Sequence, residues 1–213
     1  NALKNPLAHL QIPGIDEKMV SETPMLWEPL RYLESCPSSD GACAMVITSE
    51  DMVGDRNVAW IRGMAVRSEG TLSAGRDEVN PQAGIDCAKD IYQQAGIQDP
   101  RTEIDCAEIY VPFSWYEPMW LENLGFCELG EGWKLTDEGV TTLDGSLPVN
   151  MSGGVLSSNP IGASGMIRFG EAALQVMGLA EDHQVEDAKM AMGHAYGGAA
   201  QFFAMWIVSS SKD

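Results

Sequence analysis

The chain has 213 residues, nearly half of them apolar, which is enough for one large domain or two small ones. Its 31 acidic residues against 13 basic ones give a formal net charge of −18, a surface that repels nucleic acid and anionic membranes. No apolar run reaches the length of a membrane span and no secretory pattern opens the chain, so a cytoplasmic protein with no membrane span is expected.

Residues 1–34 are spaced by Pro6, Pro13, Pro24 and Pro29; short helices are expected over 16–22 and 26–34. Ala42–Ser49 reads as a buried strand after the turn Ser38-Ser39-Asp40-Gly41. Val58–Val66 reads as a second strand, and its small and apolar residues suit a central position. After a polar loop over 70–79, Pro81 to Gly96 carries apolar residues at 84, 87, 88, 91 and 95, a helical period with Pro in the first turn and Gly at the stop. Ile104–Val111 is the next strand. Ser114 is placed to cap a helix through about Leu124, with Gly125 ending it.

A Gly- and Asp-rich loop or small hairpin covers 125–150, and a helix runs from Ala163 to Met177 with small residues suited to close packing. An acidic loop over 179–187 leads to strands at Ala188–Met192 and Gln201–Ser209, hinged at Gly197-Gly198. This alternation indicates an α/β layered fold, a mixed β-sheet with helices on both faces. Cys36, Cys43, Cys87, Cys106 and Cys127 form no CxxC pair; their odd number and wide spacing argue against a zinc site and a disulfide framework. Reduced, mostly buried thiols are expected, and no metal site.

Two Gly-rich stretches carry polar side chains: Gly153-Gly154 through Ser158-Asn159-Pro160-Ile161-Gly162-Ala163-Ser164-Gly165, and Gly193-His194-Ala195-Tyr196-Gly197-Gly198. Glycine lets backbone approach a ligand closely, so these are candidate site turns. Together with Ser39-Asp40-Gly41-Ala42-Cys43-Ala44 and Glu108-Ile109-Tyr110-Val111-Pro112-Phe113, they fall in the order of four motifs of the thiolase superfamily, whose C-terminal half the chain resembles. The departures from the pattern are as informative. Asn159 stands where G-H-P has its catalytic His, His194 where C-x-G has its Cys, Tyr196 where Gly follows, and Tyr110 where N-E-A-F has Asn. The pattern is closest to the sterol carrier protein x and lipid-transfer-protein branch, which includes steroid side-chain aldolases.

That resemblance implies a domain over 36–213 preceded by a remnant of the thiolase loop region over 1–35. It implies retro-aldol cleavage of a β-hydroxyacyl-CoA, perhaps bearing a steroid side chain, without a Cys acyl-enzyme. Coenzyme A enters as the thioester substrate, and no cofactor is expected in this chain. Tyr196 is the first choice for acid/base work, His194 for orienting it or sharing its proton, and Asn159 for donating to an enolate oxygen near a helix N-terminus. Tyr110 completes the set. Each has a plain structural reading beside it: Tyr196 and Tyr110 as packing residues, His194 as a satisfied histidine, Asn159 as the turn residue of an Asn-Pro pair. His9 and His183 read as exposed. The aromatic run Phe113, Trp115, Tyr116, Trp120 reads as a helix anchor or as the wall of an apolar acyl pocket.

The implied partners are an N-terminal thiolase-like half, as a separate chain or a missing segment, and a small protein with an OB-fold and zinc ribbon, with the assembled unit dimeric. Two alternatives stand beside the aldolase: a Claisen-type acyl-CoA acyltransferase, and a non-catalytic thiolase-like subunit that binds lipid or scaffolds a complex. A half-thiolase alone leaves apolar surface uncovered, so an obligate complex is expected.

Overall fold

Two apolar clusters, one on each side of a four-stranded sheet, organise the chain. The computed structural model describes residues 1–212; Asp213, the last residue of the expected 36–213 domain, lies outside the described residues. Among these residues no helix is long and apolar enough to cross a membrane.

The first helix, α1 (Glu17–Ser21), starts where Asp16 accepts the Met19 N–H at 2.7 Å. The helix expected over 26–34 is instead a hairpin of β1 (Met25–Trp27) and β2 (Leu30–Arg31), followed by one 3₁₀ turn at Tyr32–Glu34. Pro29 lies in the middle of that span and has no N–H for a helical bond. The strand expected over 42–49 is absent too. These residues join no sheet, and Val46 is 95% exposed.

The long strand β3 (Trp60–Ser68) is an edge strand, not a central one. Its small residues serve a helix rather than a second strand neighbour: a Cβ on Gly63 would lie 2.6 Å from the Ile91 carbonyl oxygen of α2 (Gln82–Ala95). The α2 side chain of Gln94 also occupies β3's backbone, accepting the Met64 N–H at 3.0 Å and donating to its carbonyl at 3.1 Å. Helix α2 ends as expected at Gly96, in the left-handed conformation at φ 78°.

A single turn, α3 (Pro100–Glu103), leads into β4 (Cys106–Glu108). The ladder is shorter than the expected 104–111 because the next two N–H groups go to side chains. Ile109 donates to Asn150 Oδ1 at 2.9 Å and Tyr110 to His194 Nδ1 at 3.3 Å. Helix α4 (Tyr116–Asn123) has no Ser114 cap; that hydroxyl donates to Glu34 Oε1 instead, at 3.2 Å. The expected 125–150 loop holds a short helix, α5 (Gly132–Asp137).

The one-turn α6 (Gly154–Ser157) and the long α7 (Ser164–Met177) precede β5 (Met190–Gly197) and β6 (Phe202–Ser209). Strand β5 therefore runs five residues past the expected end at Met192, carrying His194 and Tyr196 into the sheet; the turn proper is Gly198–Gln201.

The strand order is β3-β6-β5-β4, with β4 parallel to β5 and the other pairs antiparallel. Alternation along the strands sorts the side chains to two faces. Met192, Phe203, Met205 and Ile207 meet Cys87, Ala88 and Ile91 of α2. Ala191, Trp206 and Val208 meet Ala172 and Val176 of α7 on the other side. Each large aliphatic or aromatic side chain so buried contributes about 1.5–3 kcal/mol. Helices thus cover both faces of a mixed sheet, as the sequence led us to expect.

The small residues of α7 do allow close approach: a Cβ on Gly165 would stand 3.0 Å from that of Ala195. The same helix buries charge. Arg168 pairs with Glu108, and both Ser152 polar groups also bond the Glu108 carboxylate. Burial nevertheless pushes the Glu108 carboxyl above its ordinary range. His183, expected to be exposed, is buried against Glu171 at 3.0 Å.

Candidate active site

Tyr110, Asn159, His194 and Tyr196 come from three distant parts of the chain and meet at the β4–β5 margin of the sheet. The parallel register that places Glu108 opposite Gly193 sets Tyr110 beside His194. Both backbone polar groups of Tyr110 are held by side chains: its N–H by His194 Nδ1, and its carbonyl by Trp120 Nε1–H at 3.0 Å. The Tyr110 ring meets that of Tyr196 edge-on, centroids 5.2 Å apart. Its hydroxyl donates to Asn159 Oδ1 at 3.0 Å.

Asn159 is the hub. Its Oδ1 also accepts the Ser164 hydroxyl at 2.7 Å, and its N–H donates to Ser39 Oγ at 3.0 Å. Its Nδ2 therefore points the other way and donates to Cys36 Sγ at 3.1 Å. His9 is exposed, as expected, but its Nδ1 lies 2.8 Å from Ser39 Oγ. The sequence reading missed Cys36, Ser39 and Ser164. Ser39 and Ser164 lie inside the four motifs, but Ser39 reaches Asn159 across 120 residues and Ser164 reaches it across the turn before α7, contacts that leave no periodicity. Cys36 had no signal beyond its place before Pro37.

The electrostatics divide the group. Burial holds His194 neutral and lowers it to about 3. With Nδ1 accepting from Tyr110, the ring proton sits on Nε2, which has no hydrogen-bond partner among the described residues and faces an aromatic surround. Neither nitrogen bonds Tyr196, and the two rings stand 6.1 Å apart. The Tyr196 hydroxyl is raised well above its ordinary value, first by burial and then by its hydrogen bond with Tyr116. Burial and the nearby Cys36 thiol raise Tyr110 as well. Both tyrosines are thus held as protonated donors.

A family profile described as thiolase C-terminal domain-like matches residues 65–210. The chain belongs to that family. Relatives include an acetyl-CoA acetyltransferase of Methanothermobacter thermautotrophicus, 33% identical over 98% of this chain and 55% of its own length. The benzoylsuccinyl-CoA thiolase subunit BbsB of Thauera aromatica is 31% identical over 94% and 53%. Sterol carrier protein 2 of Oryctolagus cuniculus is 30% identical over 94% and 38%. Among solved structures, the Ltp2-ChsH2(DUF35) aldolase superposes over the whole chain with a TM-score of 0.85 at 25% identity, and over 56% of its own chain. This thiolase-like chain spans about half the length of these relatives, or less.

Proposed function

We propose that this chain is the C-terminal half of a thiolase-like acyl-CoA enzyme that cleaves a β-hydroxyacyl-CoA by a retro-aldol step. The observation that carries the reading is the convergence of Tyr110, Asn159 and Tyr196 on one cluster while His194 stands neutral where thiolases have a cysteine. The full-length likeness to an aldolase supports it. An acyl group with a steroid side chain is the finer form of the proposal. The missing partners are an N-terminal thiolase-like half and a small OB-fold/zinc-ribbon protein, in a dimeric assembly.

In the reaction, the bond between the α and β carbons breaks, its electrons pass to the thioester as an enolate, and the β carbon leaves as a carbonyl. The Asn159 Nδ2–H, now resting on Cys36, is the donor for the enolate oxygen. Tyr196, kept protonated by its surroundings, supplies a proton to the α carbon. His194 positions Tyr110 rather than titrating. The base that takes the β-hydroxyl proton is assigned to the rest of the enzyme, because these four groups either hold their protons or do not titrate.

Incubation of the assembled enzyme with a β-hydroxyacyl-CoA releases an aldehyde or ketone together with the shortened acyl-CoA. Tyr196→Phe lowers kcat by about 10²-fold or more. Full activity in that variant removes Tyr196 from the mechanism. The names of the relatives favour a second reading, Claisen-type acyl transfer. Formation of a β-ketoacyl-CoA from two CoA thioesters, with release of one CoA and no aldehyde or ketone, selects it.

A further inference from the structure

An unbroken series of ring contacts leads from the surface to the candidate site. Trp115 is 47% exposed and lies almost parallel to Phe113, centroids 4.9 Å and planes 4° apart. Tyr116 packs against both at 5.8 and 6.1 Å, again with small interplanar angles. Tyr116 then stacks on Tyr196 at 5.5 Å, and Tyr196 meets Tyr110.

Local packing accounts for only part of this. Trp120, on the same helix, is buried and bonds the Tyr110 carbonyl, so it already anchors α4 to the sheet. The strip 113–116 is fixed separately. Residues 34–36 clasp it, through the Ser35–Phe113 bridge, the Ser114 N–H to the Glu34 carbonyl at 2.9 Å, and the Cys36 N–H to the Pro112 carbonyl at 2.8 Å. The result is an indole with nearly half its surface in water, seated on an aromatic stack that leads to the proposed proton donor. Trp27 and Trp133 are more exposed, but among the described residues neither has a ring contact with this stack.

We infer that Phe113, Trp115 and Tyr116 form a platform for the acyl group of the substrate, and that this acyl group carries a planar aromatic ring in place of the puckered, saturated steroid skeleton. This rests on the reading of Tyr196 as a residue of the acyl-CoA site. A planar ring presents to Trp115 the offset-stacked geometry that Trp115 already makes with Phe113, whereas a linear chain has no π face to stack. Stacking of this kind favours the ring-bearing thioester by about tenfold.

The test uses the assembled enzyme and two β-hydroxyacyl-CoA thioesters of equal carbon number, one with a terminal phenyl group and one with a straight chain. The expected result is a kcat/KM ratio favouring the phenyl thioester, lowered about tenfold by Trp115→Ala and largely kept by Trp115→Phe. A ratio that Trp115→Ala leaves unchanged overturns the platform. Calorimetric binding of the same two thioesters separates this inference from the reaction. Selective binding of the phenyl compound that Trp115→Ala abolishes, without turnover, keeps the platform and removes the retro-aldol step. Turnover with no ring preference does the reverse.

Discussion

His194 is a buried histidine that the fold keeps neutral, and that gives it a measurable acid cost. An unfolded histidine takes up a proton near pH 6.5, whereas in the folded protein the value is about 3. Below pH 6.5 the unfolded chain therefore binds the extra proton and the native state does not. The stability tied to His194 is intact above pH 6.5 and is lost as pH falls, at about 1.4 kcal/mol per unit in the steep part of the curve.

Between pH 7.5 and 5.5 this loss comes to about 1.4 kcal/mol, in a range that stays above the sequence pI of 4.3. Glu108 acts in the opposite direction, because its raised carboxyl favours the folded state as pH falls. A comparison with His194→Gln cancels that contribution. Urea denaturation followed by circular dichroism at pH 7.5, 6.5 and 5.5 measures the effect. Wild type should lose about 1.4 kcal/mol more than the glutamine variant over the range. Parallel pH curves for the two proteins would falsify the assignment of His194 as a neutral positioning residue.

Other substitutions test the packing around the site. Gly193→Ala places a methyl group 1.9 Å from Trp206 Nε1, and should lower stability by about 1–3 kcal/mol in thermal or urea melts. An added Trp206→Ala change should narrow the difference between glycine and alanine at 193. Arg168→Met strands the Glu108 carboxyl in the core at a cost of about 3–5 kcal/mol, whereas Arg168→Met with Glu108→Leu should recover most of it in the same melts. Tyr110→Phe removes one of two hydroxyls on Asn159 Oδ1. It should cost about 1 kcal/mol in stability and lower turnover without a matching change in KM, and a change in KM alone would place Tyr110 in substrate binding instead.

Much of the architecture was legible because it is written in local periods and stops. The apolar spacing of α2 and its stop at Gly96, and the small residues of α7, mark both long helices. What failed to show depends on distant partners. Residues 42–49 have strand composition but no ladder, and small residues in β3 resembled a central strand although they make room for α2. The glycines at 193 and 197 suggested a turn where there is strand, because Gly193 is needed for the Trp206 indole rather than for a reversal of the chain.

The site divides along the same line. Motif order identified Tyr110, Asn159, His194 and Tyr196, which the fold brings together. Residue type alone suggested a proton-sharing His194–Tyr196 pair, but alternation along β5 puts the two rings side by side without a hydrogen bond. Which nitrogen bonds which group depends on the β4–β5 register, and that is a property of the sheet.

The two hydroxyls that converge on Asn159 Oδ1 give this corner of the protein a direction. With its oxygen taking both hydroxyl protons, the amide keeps its hydrogens turned outward, toward Cys36. A visitor is therefore met by hydrogens and must bring a lone pair. A carbonyl oxygen satisfies that demand and an ammonium group does not. Aspartate at 159 would keep both hydroxyl bonds and turn only the end facing Cys36 from a donor into an acceptor.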